Sequence, residues 1–196
     1  MKPRFLLFVI CAVLLLPVRA KALDLNGDSD HDGLTDVQEL EIYHTDPSRA
    51  DTDNDGYADG EEVKYNYDPN SPQDDKLEKH IDVNLKTQSL TYSLGPYLLK
   101  TIKVSTGDRL HPTPAGEYSI ILKKPLVTYK GANYFFPNTR WNMMFKRGSL
   151  GNLYIHGAYW HNKFGQRMSH GCVNVSYQDM ESLYNWTDDG TKVVIK

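Results

Sequence analysis

Two stretches, "DSDHDGLTDVQE" (Asp28 to Glu39) and "DTDNDGYADGEE" (Asp51 to Glu62), repeat at a spacing of 23 residues and restrict the fold more tightly than any other feature. Each crowds five or six carboxylates into twelve residues, a density that repels itself unless a cation sits among them. Both fit D-x-[DN]-x-[DN]-G-x5-E without a mismatch. A hard cation takes roughly six to eight oxygens; carboxylates at alternate positions wrap it while a glycine makes the sharp turn. The pattern assigns Asp28, Asp30, Asp32, Asp36 and Glu39, with the Leu34 carbonyl, to one Ca2+. It assigns Asp51, Asp53, Asp55, Asp59 and Glu62, with the Tyr57 carbonyl, to a second. Pro47 interrupts the approach to Asp51, so each unit reads as a calcium loop followed by a short helix. The alternative is a solvated acidic linker, and two matches in phase argue against it.

The similarity continues past each loop, with "HTDP" at 44 to 47 and "NYDP" at 66 to 69. This segment, residues 23–68, resembles bacterial thrombospondin type 3-like repeats; dockerin repeats have a similar period. The resemblance implies a calcium-rigidified spacer or attachment module. From Asp24 to Asp75 there are 17 acidic residues and two basic ones, whereas Lys76 to Lys196 carries 16 basic and 8 acidic. Such asymmetry marks two parts with different partners. "DPNSPQDD" (Asp68 to Asp75) is turn-rich, which places a linker at 69–79 and a second domain at 80–196.

Ahead of the repeats, Lys2 and Arg4 precede "FLLFVICAVLLL" (Phe5 to Leu16) and then Pro17 and "VRAKA". A basic segment, an apolar run and an A-x-A-like site read as a signal peptide over 1–20, cleaved after Ala20 or Ala22. A retained helix or short anchor is the alternative, but the run is too short to span a bilayer. The expectation is an exported protein, in the periplasm or the cell wall and extracellular space, with no transmembrane segment after cleavage. Cleavage removes Cys11 and leaves Cys172 as the sole thiol. Exported proteins normally pair their thiols. A lone one calls for another use.

The second domain changes character. "IDVNL", "SLTYSL", "YLLKTIKV" and "EYSIIL" are β-rich runs, the first two alternating, punctuated by "GP", "STGD" and "HPTPAG". A mainly β domain follows. One short C-terminal helix is expected after Ser176, with Asp179 three residues on and Tyr177, Met180, Leu183 and Tyr184 on one face. "DDG" then turns the chain into a last strand, "TKVVIK".

Chemistry concentrates in "YIHGAYWHN" (Tyr154 to Asn162) and "MSHGCVNV" (Met168 to Val175). A thiol with a pKa of about 8.5 is mostly protonated at neutral pH, so a nucleophilic Cys172 needs a base. His156, His161 and His170 are the candidates. Gly171 lets the backbone turn tightly beside the reacting carbonyl. A buried structural cysteine and a His/Cys metal site are competing readings, and the spacing matches no standard zinc pattern.

"IHG" followed by "SHGCVN", with "IDVNLKTQSL", "VSTGD" and "TPAGEYSI" upstream, resembles the L,D-transpeptidase catalytic domain over Ile81 to Lys196. The resemblance implies a β-sandwich-like domain with the cysteine in a cleft under a loop. It implies Cys172 as nucleophile, His156 as base oriented by a carbonyl near Gly157, and His170 in a positioning role. Ser169, Gly171 and Asn174 would line the site, with the amides of Gly171 and Cys172 as oxyanion donors; Asn174 stands where many members carry arginine. "RWNMMFKRG" (Arg140 to Gly148) is either cleft wall or plain packing, and His161 is expected to be structural. The implied activity is cross-linking of peptidoglycan stem peptides through a thioester. An L,D-carboxypeptidase and a calcium-dependent wall-binding protein are the alternatives. Acidic wall polymers are a further expected partner; nucleic acid and a catalytic cofactor are not expected.

Overall fold

The structure, a computed structural model, describes residues 26–149 and 151–196; the signal-peptide reading of residues 1–20 lies outside them. Among the described residues, nine strands build one curled sheet. They are β1 (Lys79–Asn84), β2 (Ser89–Leu94), β3 (Tyr97–Ser105), β4 (Gly116–Ser119), β5 (Leu122–Gly131), β6 (Tyr134–Lys146), β7 (Leu153–Gly157), β8 (Val173–Val175) and β9 (Lys192–Ile195). Their spatial order is β4-β9-β1-β2-β3-β8-β7-β6-β5. The alternation expected in "IDVNL" and "SLTYSL" is real: Ile81, Val83, Leu90, Tyr92 and Leu94 are buried. β2 and β3 form a hairpin closed by Gly95 and Pro96, with Gly95 at φ 51°.

The sheet curls at its middle, where β3 and β8 share only Val104↔Val175 and Ser105↔Asn174. Curling brings Ile81, Val83 and Ile102 of one half against Met143, Phe145 and Ile155 of the other, in a single core. One helix, α3 (Tyr177–Trp186), caps that core with Met180 and Leu183. Its N-cap Ser176 accepts the Asp179 N–H at 3.1 Å, as the sequence predicts.

Each acidic loop runs into a short helical segment. The first is α1 (Asp36–Gln38), continued by a π-helical turn (Glu39–Tyr43), and the second is α2 (Asp59–Tyr65). Both end on a left-handed residue, His44 (φ 59°) and Asn66 (φ 64°). Within 69–79, where the sequence reading puts a linker, Asn70, Lys76 and Leu77 make defined contacts before Lys79 opens β1. Tyr67 bridges Lys76, the Leu77 N–H donates to Asn66 O at 2.7 Å, and Asn70 Nδ2 donates to Tyr43 O (2.9 Å) and to Tyr97 Oη (3.0 Å). The Tyr97 hydroxyl donates to Asp68. Leu34 and Tyr43 of the repeats pack with Tyr97 of β3, and Leu77 and Leu99 join them. The two parts share a second, smaller core.

Candidate active site

Cys172 lies in the turn before β8, and His156 lies on β7. The two strands pair in parallel with Ile155 opposite Val173 and His156 opposite Asn174, so both side chains reach the same end of the sheet. Both line a cleft of about 780 Å³ whose other walls include Tyr129, Tyr134, Trp160 and His170. His156 is buried, and its Nδ1 lies 2.9 Å from Gly157 O. A carbonyl only accepts, so Nδ1 carries the proton and Nε2 keeps its lone pair. Burial pushes His156 down to about 4, a shift that the Gly157 bond opposes and His161 reinforces. Burial likewise pushes the Cys172 thiol up to about 11, against a backbone hydrogen bond from Tyr154. Both shifts favour the neutral forms, a thiol and an imidazole with a free Nε2.

The turn around Cys172 is stitched from both sides. Gly171 has φ 107°, where only glycine is at ease. Its N–H donates to Ser169 Oγ at 3.2 Å, so the Gly171 amide, expected as an oxyanion donor, is already committed. The Ser169 hydroxyl donates to Cys172 O. Ser169 thus shapes the turn. Asn174 is buried and meets His161 Nε2 at 3.2 Å, while the Lys163 N–H donates to His161 Nδ1 at 3.2 Å. His161, expected from the sequence to be structural, makes these two contacts and also lines the cleft. His170 is exposed, its ring 4.9 Å from His111 and 4.8 Å from Tyr134. "RWNMMFKRG" resolves toward packing, since Met143, Met144 and Phe145 are buried in the sheet.

The acidic loops form a second candidate site, for metal. Ligand atoms of Asp28, Asp30 and Asp32 lie within 4.8 Å of one another, as do those of Asp51, Asp53 and Asp55. The loops share one backbone design: Asp28 accepts from the N–H of His31 and Gly33, and Asp51 from those of Asn54 and Gly56. Both carboxylate oxygens of Asp30, and one each of Asp53, Glu39 and Glu62, are buried without a hydrogen-bond partner. Burial first, then the neighbouring aspartates, pushes Glu39 up to about 7 and Glu62 to about 8. Orphaned buried carboxylate oxygens are costly alone and suit a hard, oxygen-loving cation. Asp36 and Asp59 do not join their loop trios. Asp36 accepts from Ser29 N–H and Oγ, and Asp59 from Thr52 N–H and Oγ1. Asp59 instead lies with Asp32 and Glu39, within 4.8 Å, across the boundary between repeats. Leu34 is buried in the smaller core, whereas Tyr57 is exposed.

A profile of the L,D-transpeptidase catalytic domain matches residues 78–195. The chain belongs to that family. Profiles of the bacterial TSP3 repeat match residues 28–50 and 51–72. Among L,D-transpeptidase relatives, the Bacillus subtilis protein YkuD is 28% identical over 132 residues, 65% of this chain and 71% of its own length. An L,D-transpeptidase from Mycobacterium smegmatis superposes with a TM-score of 0.57 at 21% identity, covering 63% of this chain and 60% of that one. This chain thus spans about three-fifths of that solved structure. Another solved structure, described as an Ldtfm–avibactam carbamoyl enzyme, is 27% identical with a TM-score of 0.55, covering 61% of this chain and 49% of that one.

Two residues of this L,D-transpeptidase domain escape a reading of the sequence. Tyr129 of β5 stacks on His156 with ring centroids 4.6 Å apart, and its hydroxyl donates to Asn142 Oδ1 at 2.8 Å. Thr113 accepts the Gly107 N–H at 2.8 Å and donates to Gly171 O at 2.9 Å. For Tyr129 the sequence carries no signal; for Thr113 the only one is its place in "TPAG".

Proposed function

We propose that this chain is an exported L,D-transpeptidase that cross-links peptidoglycan stem peptides through a Cys172 thioester. The observation that carries the proposal is the convergence of Cys172 and a tautomer-fixed His156 on one cleft. Cys172 Sγ attacks the carbonyl of the L-centre that precedes a terminal D-amino acid. His156 Nε2 takes the thiol proton as the S–C bond forms. The tetrahedral intermediate collapses, the C–N bond breaks, and His156 returns the proton to the departing D-amino acid. A side-chain amine of a second stem then attacks the thioester, His156 accepts its proton, and the thiol leaves reprotonated. Ser169 and Thr113 hold the turn that presents Cys172, and Gly157 O holds the imidazole. His170 positions substrate at the mouth of the cleft, and Asn174 lines it.

In this reading the carboxylates of Asp28, Asp30, Asp32 and Glu39 hold one Ca2+, and those of Asp51, Asp53, Asp55 and Glu62 a second, stiffening the repeats. The carbonyls of Leu34 and Tyr57 complete the ligand sets. Acceptance of the acyl group by water would make the same site an L,D-carboxypeptidase. Incubating the mature protein with purified stem peptides and separating products by mass decides between them. Dimers support transpeptidation, trimmed monomers support the carboxypeptidase, and unchanged substrate with calcium present refutes both.

A further inference from the structure

Asp108, His111 and His170 each offer a ligand atom within 4.8 Å of one another, and His111 and His170 also line the cleft. We propose that these three residues form a zinc site, separate from the acidic loops, that bridges the two loops framing Cys172. Two imidazoles and one carboxylate are a donor set suited to zinc rather than calcium, which prefers oxygen alone. Three protein ligands leave a fourth position open to water.

The backbone under the trio is already fixed. Asp108 and His111 lie between β3 and β4, and His170 precedes Cys172 by two residues. The Asp108 N–H donates to Ser169 O at 2.9 Å, Gly107 bridges Ser169, and Thr113 Oγ1 donates to Gly171 O at 2.9 Å. Gly107 is itself constrained, since a Cβ there would stand 2.1 Å from His111 O. Asp108 Oδ1 accepts the N–H groups of Leu110 (2.8 Å) and His111 (2.7 Å) and lies 3.2 Å from His111 Nδ1. The 3.2 Å between Asp108 Oδ1 and His111 Nδ1 suits two donors of one tetrahedral ion, each at about 2 Å. Both histidine side chains are exposed, so the donors close on an ion by small rotations without unpacking a core. A zinc ion there engages His170 and narrows the cleft entrance. Zinc is then a reversible inhibitor, a consequence that rests on the proposed function; the binding itself does not.

The test is zinc titration by calorimetry on the mature chain, saturated with Ca2+ and carrying Cys172→Ser to remove the thiol as a ligand. One zinc per chain is expected, with an affinity that falls at least tenfold on adding His111→Ala or Asp108→Asn. His111→Ala should leave the melting temperature without zinc unchanged, because the ring is exposed. An affinity indifferent to His111→Ala places the zinc elsewhere and overturns the site. With the thiol restored, zinc should slow stem-peptide conversion in the wild type and do so at least tenfold less effectively in His111→Ala. Equal inhibition of both sinks the inhibitory role while the titration still reports on the site. An inactive wild type that binds zinc refutes the transpeptidase reading alone.

Discussion

At Cys172 and His156, burial sets the chemistry. Burial raises the Cys172 thiol to about 11 and lowers His156 to about 4, so both resting groups favour the neutral form and the thiol depends on a proton acceptor to attack. Cys172→Ser should abolish product formation and leave the fold intact, as near-ultraviolet circular dichroism would show. His156→Ala should lose ~10²–10⁴-fold in kcat/KM, the usual cost of a general base. The acid limb of the kcat/KM profile should lie near pH 4 rather than at the ordinary histidine value of about 6.5. The sign for stability follows from the same shift. Between those pH values the unfolded chain binds the His156 proton and the folded one does not, so this residue's contribution is lost as pH falls. Avibactam, or a carbapenem-type β-lactam, should add one covalent mass to the wild type and none to Cys172→Ser; an adduct surviving that change would move the nucleophile elsewhere.

Among the elements, the turn before β8 does the most for the site, and Thr113 is its keystone. Its single hydroxyl satisfies the Gly107 N–H and ties down Gly171 O, both in buried surroundings. Thr113→Val keeps the shape and removes both bonds. Unsatisfied buried backbone groups cost about 1–3 kcal/mol each. With two such groups, thermal unfolding should register a loss of about 2–6 kcal/mol, and kcat should fall more than KM rises, because the nucleophile is displaced rather than the cleft walls. The β5–β6 hairpin acts from the other side, setting Tyr129 against His156 and stacking Phe136 on Trp160 at 3.9 Å.

For the whole molecule, the repeats and the catalytic domain are mechanically joined. Asn70 and Asp68 meet Tyr97 of β3, and Tyr43 packs edge-on to the same ring at 5.4 Å. The shared core of Leu34, Tyr43 and Tyr97 argues that calcium held in the repeats acts beyond them. A ligand at 100 times its Kd stabilises the state it binds by about 2.7 kcal/mol. Chelating calcium should therefore lower the melting temperature of the entire chain, not of the repeats alone. Tyr97→Ala should uncouple the two and give separate transitions in calorimetry. A catalytic-domain melting temperature indifferent to chelator in the wild type would restore the flexible-linker view.

The sequence by itself determined what is local. Alternation in "IDVNL" and "SLTYSL" set the faces of β1 and β2, Ser176 set the start of α3, and the spacing of carboxylates set two loops of clustered aspartates. Each is a relation between residues a few positions apart, governed by strand pleat, helix capping or the reach of a loop. Cys172 stood out as a thiol beside a histidine and a glycine, but the choice of His156 among three histidines came from the family resemblance. Only the tertiary structure decided what those groups touch. Curling the sheet at β8 brought Tyr129 onto His156, committed the Gly171 amide to Ser169 and drew Thr113 beneath the nucleophile turn. It also bound Asp36 to Ser29 and Asp59 to Thr52, and tied Asn70 to Tyr43. These contacts depend on which surfaces the closed core forces together, and no local pattern along the chain encodes that choice.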